Sequence, residues 1–228
     1  MILYIVRHGE PDYSTDTLTE LGQRQAEAVS VRMEESRIEE IFASPMGRAR
    51  QTAAPTAARL GLPVTIAPWA EELGRESQTP YPDGKMKNIF MVPTTLLASQ
   101  ENSALDMESS FTECPGLCEN GFASRYQYIS AGLDDLIERH GYRRNDKGFY
   151  QAAEPNEKRI ALFCHAGMMR VAVSHIFNLP YQLLGSRFLP WFTGVTAIWF
   201  DPKADAGAET APRLYSFGDI GHLHGQPH

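Results

Sequence analysis

The chain has 228 residues, 43% of them hydrophobic and 21% charged, with a formal net charge of -7. That length accommodates one large α/β domain with a substantial core, and the composition excludes a disordered chain. The acidic balance argues against a nucleic acid or an anionic membrane as partner, because both need a basic surface to displace counterions; any positive charge that matters must be local.

Met1 to Val6, "MILYIV", is continuous and apolar enough for a parallel strand buried on both faces, and it runs straight into Arg7-His8, with Gly9 placed to let the backbone turn. Thr19 caps an expected helix through about Glu35, with Leu21, Gln25, Ala28 and Arg32 at helical spacing. Ile38 to Ala43 reads as a second strand, followed by Ser44-Pro45, a cap residue with proline at the first helical position. That helix is expected to run to about Leu60, where Gly61 and Pro63 stop it, and Val64 to Trp69 reads as a third strand.

Beyond Gly74 the periodicity dissolves until about Asn120, between turn signals such as "TPYPDG" and "ECPG". Phe122 to His140 regains helical spacing, "RIALFC" over Arg159 to Cys164 is the clearest strand after the first, and "GMMRVAVSHIFN" follows as a helix. Val195 to Phe200 and Arg213 to Phe217 read as two further strands, joined without room for a helix and therefore antiparallel. The alternation predicts an α/β fold: a three-layer α/β/α sandwich on a mostly parallel central sheet, one domain over 1–228, with residues 75–150 as an inserted cap segment. No stretch approaches the roughly eighteen apolar residues that span a bilayer, and the N-terminus lacks the features of a signal peptide, so a cytoplasmic location is expected.

Two strands end in histidine in the same way, "YIVRHGE" at His8 and "ALFCHAG" at His165. In open α/β sheets the crevice beyond the carboxyl ends of the strands is where ligands bind, so parallel neighbours would bring both imidazoles to one edge. Arg48, in "SPMGRARQTA", lies one turn into a helix that starts at a strand's end and can point back to that edge, where the helix N-terminus already favours an anion. Arg50 lies roughly 200° further around the helix, on the surface side. "WAEELG" adds Glu71 and Glu72 just beyond the third strand. The three cysteines are too few for a disulfide framework: Cys164 ends an apolar run as a small core residue, and Cys114 and Cys118 have no second pair with which to build a zinc site.

"RHGE", "SPMGRARQTA", "WAEE" and "CHAG" resemble, in order and content, the histidine phosphatase superfamily, in its phosphoglycerate mutase-like branch (branch 1), over residues 1 to about 73 and 159 to 223. The resemblance implies that His8 is the nucleophile that takes the phosphoryl group, that Arg7 and Arg48 hold its oxygens, and that His165 completes the phosphate pocket. Ala166 and Ser14 join the phosphate contacts, Ser14 where the mutases carry an asparagine. Glu71 matches the family's acid, with Glu72 as fallback, and "GDIGHLHG" resembles the closing segment that makes His222 a possible pocket residue. His175, Arg170, His140 and His228 are read as packing or incidental residues.

The charges fit that assignment. Cations about 4 Å apart repel by roughly 4 kcal/mol at an effective dielectric of 20, and a phosphomonoester dianion relieves the strain, gripped by guanidinium forks. The same cations would keep His8 neutral, with the Gly9 carbonyl as a candidate partner for its other ring nitrogen. No metal and no cofactor is expected, although a triad of His8, His165 and His222 is the alternative in which a metal would sit; it leaves Arg7 and Arg48 repelling that metal.

The short loop after the first motif lacks the Trp-Asn pair that seals the mutases from water, so a phosphatase is expected, with mutase-type phosphoryl transfer and a non-catalytic phosphate-binding relative as the alternatives. The expected partner is a small phosphorylated substrate, with a homodimer also allowed. Substrate choice must come from Arg75 to Tyr150, which holds Tyr81, Lys85, Lys87, Phe90, Phe111 and Arg125.

Overall fold

The structure, a computed structural model, describes residues 1–80, 84–89 and 120–225. Its central sheet has six strands: β1 (Ile2–Arg7), β2 (Glu40–Ala43), β3 (Val64–Ile66), β4 (Arg159–Cys164), β5 (Val195–Trp199) and β6 (Arg213–Asp219). Their spatial order is β6-β5-β1-β4-β2-β3. The four strands from β1 to β3 in that order run parallel, whereas β5 and β6 pair antiparallel, as their short connection requires.

The expected three-layer sandwich is present, and alternation along the strands builds it. Leu3 and Ile5 of β1, with Ile160 and Leu162 of β4, face one cluster; Val6, Ala161 and Phe163 face the other. Helices α1 (Glu20–Glu35) and α2 (Gly47–Leu60) cover the second face with Val29, Met33 and Ala53. Helices α3 (Phe122–Arg139) and α4 (Ala166–Phe177) cover the first with Ile129, Leu133, Met168 and Val171. Burial on both faces is why β1 and β4 read as unbroken apolar runs. Helix α3, within the 75–150 segment, packs into the main core.

Several local expectations change. Helix α1 begins where its cap predicts, with Thr19 Oγ1 accepting from Gly22 N at 3.0 Å. Helix α2 starts at Gly47 rather than at Ser44-Pro45: Met46 stands at the cap position, and the Ser44 oxygen accepts from Met46 N at 3.3 Å while lying 2.8 Å from His165 Nε2. The third strand stops at Ile66 and a 3-10 turn, Pro68–Ala70, replaces its end, since proline at 68 cannot donate to a ladder. Three elements carry no periodic signal long enough to foresee: the helix Tyr181–Arg187, the hairpin of Gln78–Pro80 with Met86–Asn88, and a small sheet of Tyr142–Arg144, Tyr150–Ala152 and Glu209–Thr210. No helix among the described residues is long and apolar enough to cross a membrane.

Candidate active site

All four parallel strands end at one edge of the sheet, and the sequence places a polar residue just past three of them: His8 after β1, Ser44 after β2 and His165 after β4. Register sets Arg7 of β1 opposite Cys164 of β4, and His8 N donates to Cys164 O at 2.9 Å. The next residues, His8 and His165, therefore meet: their ring centroids are 5.2 Å apart at an interplanar angle of 56°. Both are buried, His8 at 1% exposure and His165 at 0%.

His8 Nδ1 lies 2.7 Å from the Gly9 carbonyl, the partner expected from the sequence. A carbonyl only accepts, so the proton sits on Nδ1 and Nε2 keeps its lone pair. The imidazole is pushed down to about 3, chiefly by burial; the Gly9 bond opposes the shift and Arg7 and Arg48 add to it. The sequence reading credited the cations alone, whereas desolvation is the larger cause. Gly9 also serves differently from expected. Its φ is not positive; a Cβ there would fall 2.6 Å from Gly22 O, so the glycine permits the loop to lie against α1.

Arg7 donates through Nη1 to Pro190 O at 2.7 Å and lies with its guanidinium 4.1 Å over the Phe192 ring, which in turn is 5.8 Å from His8. Arg48 is nearly buried, forms an ion pair with Asp16 through Nη1 and lies 5.5 Å from the Tyr13 ring. The Nε of each arginine and Nδ1 of His165 are buried without a hydrogen-bond partner among the described residues. His165 is likewise held well below the usual histidine range by burial first, then by His8 and the arginines. Buried donors left unmatched cost of the order of 1–3 kcal/mol each, so this edge is poised for an acceptor.

The two glutamates diverge. Glu72 accepts from Gly167 N and Met168 N, both at 3.2 Å, and from Leu73 N at 2.9 Å, so both its oxygens cap the N-terminus of α4 just after His165. Glu71 is half exposed and faces Arg125 Nη2 at 3.6 Å, and the Arg125 charge is felt at His165. Ala166 is buried as the first residue of α4.

Ser14 stays outside this group: it is exposed, and its hydroxyl donates to Asp12 at 2.6 Å. His222 stands one residue behind the pocket. Its Nε2 lies 3.0 Å from Thr193 Oγ1 and its Nδ1 3.4 Å from Arg32, and burial pushes it down to about 4. Thr193 N in turn donates to His8 O at 3.2 Å, from a backbone with φ of 53°, unusual for a β-branched residue. With both its ring nitrogens so engaged, His222 does not join His8 and His165 in a triad, and among the described residues no group of three His, Cys, Asp or Glu is arranged to hold a metal.

Arg170 makes the structural contact expected of it, Nε to Phe188 O at 2.6 Å, and His175 binds Asp134 at 2.9 Å. Asp16, Phe192, Thr193 and Ser44 were not singled out for the site from the sequence; none belongs to a periodic pattern, and only the fold brings them there. Cys114, Cys118, Tyr81, Phe90, Phe111 and His228 lie outside the described residues.

Comparison with known proteins agrees with this geometry. The family model described as "Histidine phosphatase superfamily (branch 1)" matches residues 3–78. That match covers the N-terminal third of the chain. The resemblance carried by the motifs is thereby borne out.

Solved structures extend the likeness of fold to nearly the whole chain. A mutant of the phosphoserine phosphatase from Entamoeba histolytica, in complex with phosphoserine, is 20% identical over 97% of this chain and 98% of its own, with a TM-score of 0.64. A mycobacterial glucosyl-3-phosphoglycerate phosphatase in complex with VO3 is 18% identical over 95% and 98%, with a TM-score of 0.60. No curated protein matches.

Proposed function

We propose that this chain is a phosphatase that hydrolyses a small phosphomonoester through a covalent phosphohistidine on His8. One observation carries the reading: a buried, neutral imidazole whose Nδ1 is tied to a carbonyl, beside a second imidazole and two arginines with unmatched donors. His8 Nε2 attacks phosphorus and the bond to the leaving oxygen breaks, while Arg7, Arg48 and the Ala166 amide, the first of α4 and not one of those capped by Glu72, hold the non-bridging oxygens. His165 contributes from Nδ1. In this reading the Ser44 hydroxyl, whose oxygen accepts from Met46 N at 3.3 Å, donates to His165 Nε2 at 2.8 Å, and the imidazole proton is then on Nδ1.

Glu71 protonates the departing alkoxide. Water then attacks the phosphohistidine, Glu71 takes its proton back, the P–N bond breaks, and alcohol and phosphate are released. Glu71 is preferred to Glu72 because both Glu72 oxygens are committed to helix amides, whereas Glu71 has one long contact and can turn. The phosphoserine phosphatase and the glucosyl-3-phosphoglycerate phosphatase of like fold support a phosphorylated small molecule as substrate. The short hairpin of Pro11–Asp12 with Thr17–Leu18 leads directly from the first motif into α1, which supports hydrolysis over transfer.

The test is turnover of p-nitrophenyl phosphate with and without EDTA, in the wild type and in His8→Ala. Hydrolysis that survives the chelator and falls at least about a thousandfold in the variant is expected. Turnover lost to EDTA, or retained without His8, overturns the proposal.

A further inference from the structure

The pair formed by Asp16 and Arg48 spans 32 residues of sequence and has no place in the mechanism as described so far. Asp16 sits on the tip of the hairpin between Pro11–Asp12 and Thr17–Leu18, with φ of 54°, in the left-handed region that aspartate tolerates better than most side chains. Its two oxygens are both used. Oδ2 accepts from Gly47 N at 2.6 Å, at the start of the 14-residue helix α2, and Oδ1 accepts from Arg48 Nη1.

The contact is built into the backbone as well. A Cβ at position 47 would lie 2.3 Å from Asp16 O, so only glycine lets the hairpin approach α2 this closely. The Arg48 guanidinium is thus fixed by one nitrogen. Its other edge remains: Nε is buried without a partner among the described residues, and Nη2 meets only the Met46 sulfur, at 3.4 Å. Nε and Nη2 form the side-on fork that matches two oxygens of a phosphoryl group.

We propose that Asp16 is a positioning residue: it anchors Arg48 through Nη1 and presents the Nε/Nη2 edge to the phosphoryl group beside His8. This rests on the phosphatase reading of the same pocket. An unanchored arginine loses rotamer freedom each time substrate binds, and the anchor removes that cost in advance. Asp16 acts in both the bound and the reacting state, so its loss weakens binding more than turnover. One effect works the other way, because the carboxylate also repels an incoming dianion. The proposal holds only if orientation outweighs that repulsion.

The experiment is a double-mutant cycle with Asp16→Asn, which keeps the shape and removes the charge, and Arg48→Ala. On p-nitrophenyl phosphate, Asp16→Asn is expected to raise KM about tenfold, change kcat less than threefold and leave the melting temperature within a few degrees. In the Arg48→Ala background the same substitution is expected to do nothing further, which a merely structural role would not produce. A KM that falls in Asp16→Asn means that the carboxylate competes with substrate for Arg48, and it overturns the proposal; so does additivity in the cycle.

Orthovanadate affinity, read by titration calorimetry on the same four proteins, separates this idea from the proposed function. If the wild type hydrolyses nothing, the phosphatase reading fails, while tenfold weaker vanadate binding that depends on Arg48 still supports Asp16, and equal vanadate binding by wild type and Asp16→Asn sinks it.

Discussion

The two edges of one sheet carry similar numbers of charges and do opposite things with them. At the amino edge a cavity of about 670 Å3 is lined by Arg37, Glu39, Glu157, Lys158 and Arg159 beside Trp199. Cations and carboxylates lie side by side there: Lys158 Nζ meets Glu40 at 2.9 Å, and Glu39 accepts from the Arg159 backbone amide at 3.1 Å. At the carboxyl edge Arg7 is held by a carbonyl and an aromatic face, and both arginines and His165 keep a buried nitrogen unmatched among the described residues. A cavity alone therefore does not mark the working edge. Uncompensated donors do, because their desolvation is recovered only when an anion arrives.

The sharpest way to break this comparison is to remove one cation from the unbalanced edge. Arg7→Ala should lower kcat/KM by on the order of a thousandfold, since two charge-assisted bonds of about 1.5–3 kcal/mol each are lost to the phosphoryl group. Arg48→Lys, which keeps the charge but not the fork, should fall between that variant and the wild type. If Arg7→Ala retained full activity, the unmatched donors would have nothing to do with turnover.

The next test separates two neighbouring carboxylates at the same edge. Glu71→Gln should cost about a hundredfold on an alkyl phosphate, whose leaving oxygen needs a proton, and only a few-fold on p-nitrophenyl phosphate, whose leaving group does not. Glu72→Gln should show no such dependence and should lower stability by about 1 kcal/mol through the weakened cap of α4. A leaving-group dependence that appears in Glu72→Gln instead would transfer the acid role to it.

The contrast between those two residues shows where the sequence stops informing. Strands β1 and β4 are legible because burial on both faces forces an unbroken apolar run, and the histidine after each is legible because nothing apolar continues. That the two strands are neighbours is not legible, since sheet order depends on contacts far apart in the chain. Glu71 and Glu72 carry the same local signal, and only the position of α4 tells them apart. Asp16 resembles any polar loop residue until the hairpin is seen to reach Gly47. The start of α2 is misplaced for a related reason: Ser44 has the chemistry of a cap and accepts from Met46 N, but the helix begins at Gly47, and the bond from Ser44 to His165 appears only in the fold.

A smaller effect follows from burial at the active edge. His8 is about 3 in the folded chain against an ordinary 6.5, so between those values the unfolded chain binds the extra proton. Stability should therefore rise with pH from about 3 to 6.5 and be fully present above 6.5. At pH 5 the buried His8 imidazole costs the fold about 2 kcal/mol relative to neutral pH, and urea unfolding of His8→Gln should show a shallower pH dependence by that amount. An unchanged slope would mean that His8 titrates in the folded protein as it does in the unfolded chain, so that burial does not hold it neutral below pH 6.5.

The smallest effect is expected at the balanced edge, and it closes the comparison. Lys158 and Glu40 are both substantially exposed, at 48% and 37% of their side chains, so water and salt screen their attraction. Lys158→Ala should cost about 0–1 kcal/mol of stability, less at high salt, and should leave kcat/KM within twofold. A large loss of activity would mean that the cavity beside Trp199 communicates with the pocket through β1 and β4, and the two edges would then be one functional unit. Silence in that variant, set against the collapse expected from Arg7→Ala, would locate the chemistry by electrostatic imbalance alone.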